Sequence, residues 1–163
     1  MTYTNAIGPT LRSWQKWSGS RFGRWLFART VARRAPYVGP LRPRFLELRP
    51  AFCKVSCAKR KPVQGAQGAV HPLAIANLCE LAAGMVTEVS IPPTLRWITR
   101  GMTIEYLRKA QTSVTATARL DKSEWSDRQS VGVPVSVVDE NGAEVVRAVL
   151  SVVVSPRKPE KVM

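Results

Sequence analysis

The chain has a single histidine, His71, and nine residues further on a glutamate, Glu80, with Asn77 between them. Glu80 stands inside an otherwise apolar run that extends from Leu73 to Val86. An unpaired carboxylate is costly to bury, so such a group finds a partner, takes up a proton, or is put to use. An apolar pocket also lifts a carboxylate toward the range in which it serves as a general base. Asn77 and Glu80 are three residues apart and share one face of a helix, which places Asn77 to orient Glu80 or a water that Glu80 activates. His71 stands at the head of the run, where the amides and dipole of a helix start favour a developing oxyanion. The small residues of Gly65-Ala66-Gln67-Gly68-Ala69 would let a ligand approach the backbone there. The pattern fits acyl transfer. The competing structural reading pairs Glu80 with a backbone group or with an arginine of a neighbouring strand.

Other reactive residues weigh less. Cys53, Cys57 and Cys79 could hold a metal only by converging with the one histidine, and the spacing of the first two suits a packed strand face. Cys79 adjoins Glu80, but neighbours on a helix point about 100° apart. No strand-to-helix serine elbow is present.

The elements that position these residues follow from periodicity. His71 to Val89 predicts a helix, with Pro72 at the first helical position, where its missing N–H is not needed. The run is apolar nearly all round, as in a buried helix, and its alanines and Gly84 let a sheet come close. Phe45 to Lys59 predicts one strand, with a bulge or edge at Pro50. Four further strands with period-two alternation are expected over Trp97–Leu107, Ser113–Leu120, Val131–Val138 and Val146–Val154. Asn141-Gly142 between the last two is the signal for a type I′ hairpin, with φ positive at both residues. One buried helix against a mainly antiparallel sheet makes the fold class α+β.

Composition and charge set the limits. The chain has 163 residues, 45% of them hydrophobic, and a net charge of +14, which excludes a disordered chain and suits one domain. No apolar run approaches the ~20 residues of a membrane span, and the N-terminus lacks a signal peptide's apolar core. Three cysteines are read as reduced thiols in a cytoplasmic protein. Residues 1–46 carry nine basic residues and no acid. Leu11, Trp14 and Trp17, then Phe22, Trp25, Leu26 and Arg29, predict two basic amphipathic helices, broken near Gly19 and Gly23. Such helices could pack their aromatic face on the domain, lie on an anionic membrane surface, meet a phosphate-bearing ligand, or serve as a transit peptide. No nucleic-acid-binding motif is present, which disfavours that partner. The expected organisation is a basic helical segment over 1–44, the α+β domain over 45–155 and a polar tail over 156–163.

Gly68-Ala69-Val70-His71, the following Asn77 and Glu80, and Arg100-Gly101-Met102-Thr103-Ile104-Glu105-Tyr106-Leu107-Arg108-Lys109-Ala110 together resemble the hot-dog-fold acyl-CoA thioesterase superfamily. The similarity runs over roughly Phe45 to Ser155, to an uncharacterised bacterial branch of the phenylacetate-pathway-like thioesterases. It implies a curved antiparallel sheet of about five strands wrapped around one long helix, preceded here by the N-terminal amphipathic helices. It implies hydrolysis of an acyl-CoA or related thioester, with Glu80 as general base or nucleophile. Asn77 and His71 would be the other catalytic residues, and the amides of His71 and Leu73 the oxyanion hole. Arg108 and Lys109, with the N-terminal arginines, are candidate contacts to coenzyme A phosphates. No metal or redox cofactor is implied; the coenzyme A thioester is the substrate. The resemblance further implies a homodimer or dimer of dimers with its sites at the subunit interface. Two positions depart from the family pattern. Pro72 stands where a glycine usually offers its amide, and Gly65 stands where an asparagine often orients the attacking water. The alternative reading is an acyl or acyl-CoA binding module without catalysis.

Overall fold

The computed structural model describes residues 7–121 and 124–157. Two helices, α1 (Pro9–Trp17) and α2 (Arg21–Arg34), lead through a 3-10 turn (Pro36–Leu41) into strands β1 (Arg44–Arg49) and β2 (Phe52–Cys57). The long helix α3 (Pro72–Ser90) follows, then β3 (Leu95–Tyr106), β4 (Val114–Arg119), β5 (Gln129–Asp139) and β6 (Glu144–Pro156). The strands form one antiparallel sheet in the order β1-β2-β4-β5-β6-β3.

The expected single strand over Phe45 to Lys59 is two, so the sheet has six strands and not five. Pro50-Ala51 closes a two-residue hairpin between them, with Arg49 opposite Phe52. Proline at the first central position and a positive φ of 67° at Ala51 is the type II pattern. The left-handed Ala51 is pinned from outside the hairpin. Its amide donates to Ser90 Oγ at 2.9 Å, and its carbonyl accepts from the Leu120 amide at 3.0 Å.

The expected type I′ turn at Asn141-Gly142 is also corrected. Only Gly142 has positive φ, at 80°. The Asp139 carboxylate accepts the amides of both Asn141 and Ala143 at 2.9 Å, and the Asp139 carbonyl accepts the Gly142 amide at 3.1 Å. These bonds draw the chain into a three-residue loop, a type I turn closed by a left-handed glycine. Gly142→Ala is therefore expected to cost about 1 kcal/mol, since an L-residue at that φ is strained. A urea titration in which Gly142→Ala unfolds at the wild-type midpoint would contradict this turn.

α3 lies across the sheet, with every residue from Leu81 to Thr87 buried. By length and composition it could cross a membrane, contrary to the expectation that no run comes close; its apolar surface is covered by the sheet instead. Gly84 is where the two layers meet most tightly: a Cβ there would lie 2.8 Å from the Trp97 ring. That ring donates from Nε1 to Glu88 at 2.9 Å, which gives the second carboxylate of the helix a partner.

The N-terminal helices share this core. Trp14, Phe27 and Phe45 meet edge to face, with centroids 5.1 to 6.3 Å apart. The buried face of α2 is Gly23, Phe27 and Ala28, so the helix does not pack the Phe22 and Trp25 side of the predicted stripe on the domain. Phe22 and Trp25 are exposed at 69% and 52%. The break between the helices falls at residues 18–20, where Ser20 Oγ caps α2 by accepting the Gly23 amide at 3.0 Å. Gly23 itself is helical, and a Cβ on it would come within 2.0 Å of the Trp17 carbonyl oxygen. That clash is with backbone, so Gly23→Ala is expected to destabilise by about 2 kcal/mol or more. An unchanged thermal midpoint would show that the α1–α2 corner can yield.

The ends of the sheet differ. β1 is six residues long, bulged between Phe45 and Glu47, and lies next to α2. β3 is twelve residues long, has β6 on one side only, and exposes Ile98 and Tyr106. A long open edge of this kind is a template for pairing.

Candidate active site

Glu80, Asn77, Tyr37 and Thr99 come together where α3, the 3-10 turn and β3 meet. Asn77 Nδ2 donates to the Tyr37 carbonyl at 3.0 Å, which ties α3 to the turn. Asn77 Oδ1 is buried and has no hydrogen-bond partner within the protein. A buried acceptor without a partner is uncommon. Glu80 is half-buried, and its Oε1 accepts only a long 3.5 Å bond from Thr99 Oγ1. Among the described residues the ion pairs are Glu47–Arg49 and Glu144–Arg147; no cation sits against Glu80. Of the two partners the structural reading offered, a backbone group or an arginine of a neighbouring strand, neither bonds to the Glu80 carboxylate among the described residues. The Tyr37 phenol is raised above its ordinary value, by burial first and by the Glu80 charge second.

The head of α3 is differently arranged from expectation. His71 caps the helix, its Nδ1 accepting the Leu73 amide at 3.1 Å. The His71 amide donates to the Val63 carbonyl at 2.8 Å, and the Ala74 amide to the His71 carbonyl at 2.9 Å. Pro72 has no N–H. The two amides expected to form an oxyanion hole, those of His71 and Leu73, are therefore both engaged. The capping bond requires Nδ1 to be unprotonated, so a neutral His71 carries its proton on Nε2 on an exposed ring. His71 can thus offer a side-chain donor where the amides offer none.

Gly65 lies under this ring, where a Cβ would come within 3.3 Å of His71 Cδ2. The loop that follows is closed by Gly65 and Gly68 amides bonding to Ala69 and Gly65 carbonyls. Gln67 Oε1 accepts from Lys109 Nζ at 2.8 Å. Lys109 and its neighbour Arg108 are exposed beside the helix head. Cys53, Cys57 and Cys79 are free and buried. Burial pushes the Cys79 thiol up to about 12, so it is a packing residue and no nucleophile. Among the described residues no three His, Cys, Asp or Glu side chains could jointly hold a metal ion. Tyr37 and Thr99 were missed by the sequence reading, because nothing local marks a residue that meets α3 from another element.

A family described as a domain of unknown function, DUF4442, matches residues 23–154. The chain belongs to the DUF4442 family. A solved protein designated genomics APC5556 is 35% identical, with a TM-score of 0.78 over 91% of this chain and 98% of its own. PA5026 of Pseudomonas aeruginosa, described as a probable thioesterase, is 18% identical with a TM-score of 0.73, over 81% of this chain and 95% of its own. The thioesterase HI1161 of Haemophilus influenzae is 12% identical with a TM-score of 0.70, over 99% of both chains. The latter two identities carry the fold alone: this DUF4442 chain has the hot-dog fold. No curated protein matches the sequence.

Proposed function

We propose that this protein hydrolyses a thioester, an acyl-CoA or a closely related carrier thioester, with Glu80 as general base. The observation that carries the reading is the unpaired Asn77 Oδ1 one helical turn from an unpaired, half-buried carboxylate. Side chains three apart on a helix have Cβ atoms about 5–6 Å apart, a gap one water can bridge. With Asn77 turned to open its buried Oδ1, a water donating one hydrogen to it and the other to Glu80 has its lone pair free to attack. As its oxygen bonds to the thioester carbon, its proton passes to Glu80. The tetrahedral intermediate then expels the thiolate, which takes that proton and leaves as the thiol, while the acyl group leaves as the acid.

His71 would polarise the thioester oxygen through Nε2–H, but it does not serve its own chain's Glu80. Nine residues of helix rise about 13 Å, too far for both to act on one carbon. A homodimer formed by pairing the open β3 edges about a two-fold axis lays the two α3 helices antiparallel. The head of each then faces the middle of the other, and His71 of one subunit joins Glu80 of its partner. Arg108 and Lys109 at the helix head are the proposed contacts for coenzyme A phosphates. Three buried free thiols support a reducing, cytoplasmic setting.

The engaged amides of His71 and Leu73 favour a second reading, binding of the acyl thioester without turnover. Thiol release from short, medium and aromatic acyl-CoAs separates the two. Turnover with any of them supports hydrolysis. Saturable binding of an acyl-CoA with no thiol released leaves the binding module.

A further inference from the structure

A groove of about 880 Å³ runs along α2, away from Glu80. Arg21, Arg24, Arg29 and Arg33 of α2 line it, together with Arg42, Arg44 and Arg60 from the segments that follow. The residues of α2 that face it recur at i, i+3, i+4, i+7, i+8, i+11 and i+12 from Arg21, so the groove follows one side of the helix. Its floor is small, with Ala28, Ala32 and Gly39, and its lining includes no acid. Among the described residues none of these arginines is paired with a carboxylate. Arg24 donates to the Ser18 carbonyl at 2.8 Å, and Arg60 to the Pro40 carbonyl at 2.6 Å. Like charges held this close repel one another, and a multiply anionic surface relieves the repulsion.

The rim identifies which surface. Phe22 and Trp25 project from α2 beside the arginines, stacked on each other with centroids 5.5 Å apart. Arg29 lies 5.1 Å from the Trp25 ring centroid. Nothing in the fold needs this aromatic pair, because Phe27 and Ala28 fill the core side of the helix. We propose that α2 docks on an anionic phospholipid bilayer, with lipid phosphates among the groove arginines and Phe22 and Trp25 entering the headgroup layer. A bilayer offers an anionic plane and an apolar layer together, and a basic helix with exposed Trp and Phe suits both. Nucleic acid offers the anion and stackable bases, but no apolar layer that takes in Phe22 and Trp25 as a pair.

Flotation of the full-length protein with lipid vesicles tests this. The protein is expected to float with phosphatidylcholine vesicles that contain phosphatidylglycerol, to stay behind with phosphatidylcholine alone, and to be released by salt. Arg29→Ala and Arg33→Ala are each expected to weaken binding about fivefold. Phe22→Ala with Trp25→Ala should abolish flotation with an unchanged melt, since both side chains are exposed. Failure to float with phosphatidylglycerol overturns the proposal. So does flotation that the aromatic double variant leaves intact. Displacement from vesicles by free coenzyme A, or by an oligonucleotide, at concentrations below those of the lipid also overturns it, and assigns the groove to that anion.

Discussion

Glu80→Gln is expected to lower kcat/KM for a hydrolysed acyl-CoA by about 10²–10⁴-fold and to leave the thermal midpoint where it is. The two halves of that expectation rest on different observations. Turnover falls because an amide cannot take the proton of the attacking water. Stability holds because the wild-type carboxylate gives little to the fold: one 3.5 Å bond from Thr99 and no cation. Thr99 can still donate to the amide oxygen. Had an arginine been paired with Glu80, the same change would strand a charge and cost roughly 3–5 kcal/mol. Measuring thiol release and melting together therefore reads the role of Glu80 directly. Turnover equal to wild type sinks the general base, and a steep fall in melting temperature makes Glu80 a structural residue.

The fold was legible where one element carries its own signal. The apolar run after His71-Pro72 is long, ends at Pro92-Pro93, and became α3; the alternating segments after it became strands. What was missed was decided from outside the local sequence. Pro50-Ala51 has no glycine or asparagine to announce a hairpin, and the bonds from Ser90 and Leu120 that hold Ala51 left-handed come from distant elements. α2 has two apolar faces, Phe22-Trp25 and Phe27-Ala28. Which one turns inward depends on Trp14 and Phe45, not on the periodicity of the helix. At Asn141-Gly142 the deciding group was Asp139, whose carboxylate reaches two amides ahead of it.

The candidate site shows the same division. Glu80 and Glu88 are both carboxylates on α3; the sequence singles out Glu80 by its place inside the apolar run, but does not say which of the two has a partner. The fold does, by giving Glu88 the indole N–H of Trp97 and leaving Glu80 with a long bond to Thr99. Asn77 was visible as a polar residue one turn from Glu80. That its amide nitrogen would be spent on Tyr37 and its oxygen left unpaired required the 3-10 turn to be in place. The amides expected to form the oxyanion hole are engaged for a chemical reason. Proline removes one amide and a histidine cap consumes the next, so the donor proposed at this helix head is the His71 ring N–H in place of a backbone amide.

That substitution makes a second large effect measurable. If His71 of one subunit serves Glu80 of the other, then His71→Ala and Glu80→Gln each disable every site of their own homodimer. His71→Ala also removes the helix cap, a loss of about 1 kcal/mol, so it should fold with a slightly lowered melt. Mixing the two inactive proteins and allowing subunits to exchange forms heterodimers with two unlike sites. One of these sites combines both altered residues, and the other combines intact His71 with intact Glu80. For an isologous two-fold interface at equal mixing, half the dimers are hybrids and about a quarter of all sites become whole. Activity is expected to rise from near zero to about a quarter of wild type, over the time that exchange takes. A mixture that stays inactive while exchange is shown by mass to be complete would mean that both residues act within one chain, and a His71→Ala homodimer as active as wild type would mean that His71 plays no part. An assembly that light scattering finds monomeric would remove the shared site altogether.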